Sequence, residues 1–290
     1  NLQPARTGGR GVHSDRRMHL HESQLVLVPP RPRDRSTGRD DRSPVEFGGV
    51  VTGDSSSNRR SELAQRLLEV TEQIADAAHD AGRDPAEITL IAVTKTWPDT
   101  DLRLLADLGV TDVAENKAQE FSAKAAACAD VPVTWHFVGQ LQRNKIKSVV
   151  PFADFVQSVD RPSLVTALDT HVAQIDRPPL KCLVQVSLDV TDEPGRAGVR
   201  PELAMDLADQ IASAANLELA GVMGVAPRGG DARAAFELLA RVGAGIADDH
   251  NSATVISAGM SGDFAAAIAA GATHVRLGSA LLGERAGFVR

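Results

Sequence analysis

The residues able to do chemistry gather at the ends of apolar runs. Residues 88–96, ITLIAVTKT, are mainly apolar or β-branched and read as a strand buried on both faces. Lys95 closes the run, just before a turn opened by Trp97-Pro98-Asp99. A lysine at the end of a buried strand is desolvated. Desolvation lowers an ammonium pKa, and the neutral amine is a nucleophile. The pattern alone favours a plainer reading, a snorkelling lysine whose amine reaches water. The other lysines are poorer candidates: Lys117, Lys124, Lys145 and Lys147 fall in helix-like or polar stretches, and Lys181 opens an apolar run. Two Gly/Ser loops follow later apolar runs. One is Ser257-Ala258-Gly259-Met260-Ser261-Gly262-Asp263 and the other Gly278-Ser279. Gly259 and Gly262 permit close backbone approach, and Ser261 can cap a helix beginning near Asp263, whose free N–H groups suit a phosphate dianion.

The elements that must position these residues follow a regular order. Leu63, Leu67, Val70, Ile74 and Ala78 recur at helical spacing and Gly82 closes that helix. Strands are expected over 88–94, 111–115, 133–138, 154–158, 180–188, 219–223, 254–257 and 274–277. Helices are expected between them over 100–108, 118–129, 143–150, 162–175, 202–215, 232–247 and 264–270. Eight alternating strands in this length predict an α/β fold, a single-domain (β/α)8 barrel over residues 61–290. A doubly wound sheet is the alternative, but no glycine fingerprint follows the first strand. In a barrel, chemistry sits at the C-terminal strand ends, with phosphate often held after strands seven and eight. The two Gly/Ser loops would then be neighbours beside the Lys95 strand. Each loop alone is ordinary turn chemistry. Together they favour a phosphorylated aldehyde bound as an imine, either pyridoxal 5′-phosphate or a sugar phosphate.

Other polar residues have plain explanations. His136 reads equally as a hydrogen-bonded core histidine, Glu115 as an ion-pair partner, and Asp160 as the cap of the turn Asp160-Arg161. Residues 142–147, QRNKIK, read as a solvated face. Arg276, inside the last strand, needs an acceptor at the barrel mouth, and a ring nitrogen or phosphate would serve.

Composition sets bounds. The chain has 290 residues, 43% of them hydrophobic, so it can bury a sizeable core, but only 3% aromatic and no tyrosine, so Ala, Val and Leu must fill it. A formal charge of −7 gives no general case for nucleic acid, no apolar run is long enough to cross a bilayer, and Cys128 and Cys182 lack metal-ligand spacing. A reduced, cytoplasmic protein without nucleic-acid, membrane or metal partners is expected, as a monomer or weak dimer. Residues 1–60 differ: eleven Arg, no Lys and seven acids give +4, against −11 for the remainder. Their Gly, Pro, Ser and Arg content predicts a disordered basic arm. Because the chain opens on Asn1, one expectation is that the arm is upstream sequence read in frame, with the start near Val50 or Val51.

At these residues the chain resembles the YggS/PROSC family of pyridoxal phosphate homeostasis proteins, from about Ser61 to Gly283. The resemblance rests on Ala92-Val93-Thr94-Lys95-Thr96, Glu115-Asn116, Trp135-His136-Phe137-Val138-Gly139-Gln140-Leu141-Gln142 with Asn144-Lys145, Ser158-Val159-Asp160-Arg161, Gly221-Val222-Met223, Gly259-Met260-Ser261 with Asp263, and Val275-Arg276-Leu277-Gly278. It implies a barrel similar to that of alanine racemase and a pyridoxal 5′-phosphate Schiff base on Lys95. It further implies phosphate on Ser261, Gly278 and Ser279, Arg276 facing the pyridine nitrogen, and Asn116, Met223, Ser257 and Met260 in the cofactor pocket. Two departures stand out. Val113-Ala114 replaces the usual Phe-Gly and is expected to disturb a turn. Val186-Ser187 and Gly195-Arg196 replace an asparagine and a lysine.

Cofactor chemistry also needs a protonatable ring nitrogen and a second acid/base group. Arg276 would disfavour ring protonation. There is no tyrosine to serve as a racemase's second base, and little chain follows the eighth strand. The expected role is therefore a non-catalytic protein of pyridoxal phosphate homeostasis that could pass the cofactor to apoenzymes. The alternatives are a pyridoxal-phosphate enzyme of weak racemase or transaminase type and a class I Schiff-base aldolase.

Overall fold

The computed structural model describes residues 55–189 and 197–284. Eight parallel strands close into a barrel in sequence order: β1 (Thr89–Val93), β2 (Asp112–Glu115), β3 (Thr134–Phe137), β4 (Phe155–Val159), β5 (Leu180–Val186), β6 (Leu217–Gly224), β7 (Val255–Ser257) and β8 (His274–Leu277). The expected (β/α)8 barrel is the fold, and the open doubly wound sheet is excluded. Closure runs through β1 and β8, where Ile91 is in register with Arg276 and Ala92 with Leu277. The strands read as apolar runs because both their faces are covered, a requirement of parallel sheets.

The helices form the outer layer: α1 (Ser55–Asp80), α2 (Asp99–Asp107), α3 (Ala118–Ala127), α4 (Ile146–Val149), α5 (Pro162–Val172), α6 (Ala204–Ala212), α7 (Ala232–Asp249), α8 (Phe264–Ala269) and α9 (Ser279–Leu282). Short 3-10 turns precede β1, α4 and α6. The core lies mainly between helices and strands, around residues such as Phe121, Phe137, Leu164 and Phe236. Inside the barrel the apolar filling is small: Leu183, Ala220 and Met223, with Phe155 and Val255 against them.

Helix α1 precedes the barrel and seals β8 and α8 through Val70, Ile74 and Ala78 against Phe264, Ile268 and Val275. Burying each large aliphatic chain contributes about 1.5–3 kcal/mol. Its start corrects one boundary. Residues 55–60, expected in the arm, are helical, and Arg59 is anchored by the fold. Its guanidinium pairs with Asp101 of α2 (2.8 Å), donates to the Leu282 carbonyl (3.0 Å) and lies 4.7 Å from the Trp97 ring centroid. The rest of the expected arm, residues 1–54, lies outside the described residues, as does Gly195-Arg196. Both cysteines are free and buried, and among the described residues no helix is long and apolar enough to cross a membrane.

Candidate functional site

The turn that carries Lys95 is strained and held on both shoulders. The Trp97 N–H returns to the Thr94 carbonyl at 3.0 Å, and Thr96 between them has φ +68°. That is the left-handed conformation which the third position of a type II turn requires and glycine normally supplies; a β-branched residue adopts it only when its surroundings impose it. Here they do. The Thr96 N–H donates to Glu120 Oε2 (3.2 Å) and the Thr94 N–H to the Ala114 carbonyl (3.0 Å). Lys95 itself is exposed, as the snorkelling reading favoured by the pattern has it, and not desolvated. The turn aims an accessible amine from a rigid strand end instead.

Beneath the turn lies a buried ion pair. Lys124, dismissed from sequence as a helix lysine, inserts from α3. Its Nζ contacts Glu115 Oε1 and donates to the Thr94 carbonyl at 2.7 Å. Thr94 Oγ1 donates to the same Glu115 oxygen (2.8 Å). Burial pushes the Glu115 carboxyl up, against the lowering effect of Lys124 and Thr94. Its second oxygen, Oε2, is buried without a hydrogen-bond partner. Glu115 is thus the ion-pair partner expected, and the pair grips the Lys95 turn.

Asn116 follows directly, and its Oδ1 is also buried without a partner. Its backbone lies against Gly139, where a Cβ would stand 1.9 Å from the Asn116 carbonyl oxygen. Only a glycine lets the ends of β2 and β3 approach this closely. Gly139→Ala is expected to cost about 1–3 kcal/mol, since the clash is with backbone and no rotamer relieves it. A urea midpoint unchanged from wild type would contradict this packing. Val113 and Ala114 do not form a turn: they are buried inside β2, in register with Trp135 and His136.

Across β1 from this group stand the residues of β7 and β8. Arg276 is buried; its Nη1 donates to Ser257 Oγ at 2.6 Å and its Nη2 to the Gly224 carbonyl at 2.8 Å. It makes no ion pair among the described residues, and burial lowers its pKa to about 10, with Asp263 acting the other way. At neutral pH it is a buried cation served by neutral acceptors. Met223 is buried in the barrel interior and Met260 is exposed. After β7 the chain turns at Gly259, φ +87°, where a Cβ would meet Phe264 Cα at 2.7 Å. Gly262 has no such constraint, since a Cβ there meets nothing.

Ser261 does not cap α8, whose N-cap is Asp263; Asp263 Oδ1 accepts the Met260 N–H (2.6 Å). Ser261 reaches the next loop instead. Its Oγ receives the Ala280 N–H (3.3 Å) and lies 3.4 Å from Ser279 Oγ, so the two loops converge beside Gly278. Asp160 caps nothing either: it pairs with Arg161, whose Nη2 donates to the Leu141 carbonyl (2.9 Å). His136 is a core histidine, with Nε2 at 2.9 Å from Asp112 Oδ1 and Nδ1 at 2.9 Å from Gln157 Nε2. Gln157 and Lys124 are among the buried polar residues that sequence reasoning missed. A glutamine amid the apolar run FVQSV was the available signal for the first.

A closed parallel barrel with a lysine just past its first strand and a serine cradle after its last two belongs to the class of the alanine racemase N-terminal domain, and residues 56–286 match that family. Within that class the chain belongs to the pyridoxal phosphate homeostasis protein family. It is 39% identical over 245 residues to the pyridoxal phosphate homeostasis protein of Mycobacterium leprae, covering 79% of this chain and 95% of that protein. The counterpart of the same name in Escherichia coli K12 is 34% identical over 232 residues, covering 78% and 97%. Among solved structures, PipY of Synechococcus elongatus, determined with pyridoxal phosphate bound, superposes with a TM-score of 0.66 at 31% identity, covering 76% of this chain and 100% of that one.

Proposed function

We propose that this chain binds pyridoxal 5′-phosphate as a Schiff base on Lys95 and serves intracellular homeostasis of that cofactor without turning over a substrate. The residues present fit the group. Among the described residues Asn116 Oδ1 is a buried polar atom lacking a partner and Arg276 a buried cation without a counter-ion, and the two serine hydroxyls with the Ala280 N–H form a cradle suited to a dianion. The single observation that carries the reading is Arg276, in register with Ile91 on the strand that delivers Lys95. A buried guanidinium beside a strand-end lysine calls for an acceptor with one face toward each.

When bound, pyridoxal phosphate supplies an aldehyde for the amine and a ring able to withdraw electrons. Lys95 presents the amine. Ser261, Gly278 and Ser279 hold the phosphate. Asn116, Met223 and Met260 flank the ring, and Ser257 acts through its hydrogen bond to Arg276. With its pKa at about 10, Arg276 stays protonated at neutral pH and can only donate. Arg276 would hold the ring nitrogen of a bound cofactor by donating to it, which would disfavour ring protonation and leave the ring a weak electron sink. This supports holding over catalysis. The aldolase alternative needs an acid/base pair near the lysine. Glu115 and Lys124 are such a pair, but their contacts run to the Thr94 carbonyl and hydroxyl, which hold the turn. Recipients of the cofactor would be apoenzymes in the cytoplasm, in keeping with two free, buried thiols.

The test is the absorbance spectrum of the purified protein before and after borohydride, with peptide mapping. A visible band lost on reduction, and a pyridoxyl-phosphate mass on the Lys95 peptide, are expected. Transfer of the cofactor to an added apoenzyme then separates carrier from enzyme. A protein that gains no band with added pyridoxal phosphate, or is labelled on another lysine, overturns the assignment.

A further inference from the structure

A line of buried side chains crosses the barrel interior from Arg276 to the opposite end. Arg276 Nη1 lies 2.6 Å from Ser257 Oγ, and Ser257 Oγ 2.7 Å from Gln157 Oε1. Gln157 Nε2 lies 2.9 Å from His136 Nδ1, and His136 Nε2 2.9 Å from Asp112 Oδ1. The five residues come from five strands, β8, β7, β4, β3 and β2. Arg276, Ser257, Gln157 and His136 are all buried. Asp112 is the first residue of β2, at the end of the barrel away from Lys95.

The two ends determine the direction of every bond between them. A guanidinium can only donate, so Ser257 Oγ accepts from Arg276 and its one hydrogen goes to Gln157 Oε1. That sets the Gln157 amide, whose NH2 must donate to His136 Nδ1. The hydrogen of a neutral imidazole is then on Nε2, where it meets Asp112, a carboxylate that can only accept. Thr111 Oγ1 donates to the other Asp112 oxygen at 2.7 Å. Burial pushes the Asp112 carboxyl up, but the hydrogen bonds from His136 and Thr111 outweigh this and hold it below its usual value. His274, the other titratable group facing Asp112 and His136, is kept neutral by burial, with its pKa down at about 4. The line is a one-way chain of donors from a cation to an anion, with a single consistent proton arrangement.

We propose that Asp112, His136, Gln157 and Ser257 are positioning residues that lock Arg276 in one orientation toward the cofactor ring, with Asp112 setting the polarity of the whole line from the far end of the barrel. This rests on the reading that Arg276 faces the ring. Ser257 has one hydroxyl hydrogen, and its bond to Gln157 Oε1 fixes the hydroxyl with its lone pairs toward Arg276. Asp112, which cannot donate, keeps the Gln157 oxygen on that side through His136. Asparagine at 112 could donate to His136 Nε2 as well as accept from it, so the Gln157 amide could turn its NH2 to Ser257. The Ser257 hydrogen would then have no acceptor in the line, and the hydroxyl that orients Arg276 would no longer be fixed.

The experiment uses the full chain loaded with pyridoxal phosphate. The dissociation constant and the visible absorption and circular dichroism band of the bound cofactor are measured for wild type, Asp112→Asn, Arg276→Leu and the double variant. Asp112→Asn is expected to weaken binding roughly 5- to 10-fold and shift the band, with Lys95 still the labelled residue. In the Arg276→Leu background it is expected to change neither quantity further. Asp112→Asn without effect on both readouts, or effects that simply multiply in the double variant, would overturn the proposal. If Arg276→Leu alone changes neither readout, the placement of Arg276 at the ring is wrong and the proposal falls with it. Should Asp112→Asn lose its cooperative melt, Gln157→Met cuts the same line elsewhere. It is expected to give the same band shift, and an unshifted band again overturns the proposal.

Discussion

Lys124→Met is expected to lower the unfolding free energy by about 3–5 kcal/mol, the range for removing one partner of a buried ion pair. The variant keeps the aliphatic stem and deletes only the ammonium. Glu115 is then left fully buried, with Oε2 already lacking a partner and Oε1 held by Thr94 alone. The Thr94 carbonyl also loses one of its two donors and keeps only the Trp97 N–H. The urea midpoint should fall with the slope unchanged. The loss should also shrink in acid. Burial already raises the Glu115 pKa above its unfolded value, and removing the cation raises it further. The protonated carboxyl is therefore favoured by folding. Its contribution is fully present below the unfolded pKa and is lost as pH rises through the folded one. The penalty in Lys124→Met is thus greatest at neutral pH. A change under 1 kcal/mol at pH 7 would mean that the ammonium is not engaged as the structure places it.

Lys124 also shows where sequence reasoning stops. The barrel was legible because its strands are covered on both faces and read as apolar runs, and because its helices repeat at helical spacing between them. Lys95, Arg276 and the two serine loops were legible because barrel strands end at one face, so a polar residue there stands out against its run. Lys124 does not stand out. In the stretch AQEFSAKAAA its neighbours are small, and nothing in the pattern tells an inward lysine from an outward one. Its partner Glu115 lies on a different element, reached only when α3 folds back over β2. Arg59 was hidden for a related reason: its serine-rich surroundings look like a linker, and its partners Asp101 and Leu282 are distant in sequence. Lys95 is exposed, as the snorkelling reading has it: burial extends one residue past the strand, through Thr94, and at the next residue the side chain is already in solvent.

That exposure gives Lys95→Ala a distinctive signature. Substitution of an exposed side chain usually changes stability by no more than about 0.5 kcal/mol. The turn should survive, because it is held through the Thr94 and Thr96 backbone and not through the Lys95 side chain. The thermal unfolding midpoint of the cofactor-free protein should therefore stay near wild type. Cofactor attachment should not. Only the hydrogen bonds of the cradle and of Arg276 would remain, and affinity for pyridoxal phosphate is expected to fall roughly 100-fold or more, about 3 kcal/mol. The visible band and the borohydride-stable mass on the 88–96 stretch should vanish together. Lys124, the lysine buried under the same turn, cannot substitute while its Nζ is bound to Glu115 and the Thr94 carbonyl. A variant that keeps a borohydride-stable adduct would show that another amine carries the cofactor. A variant that loses the band and also melts much earlier would show instead that Lys95 is part of the fold's own scaffold. The combination of unchanged melting and lost attachment is what an accessible amine on a rigid strand end requires.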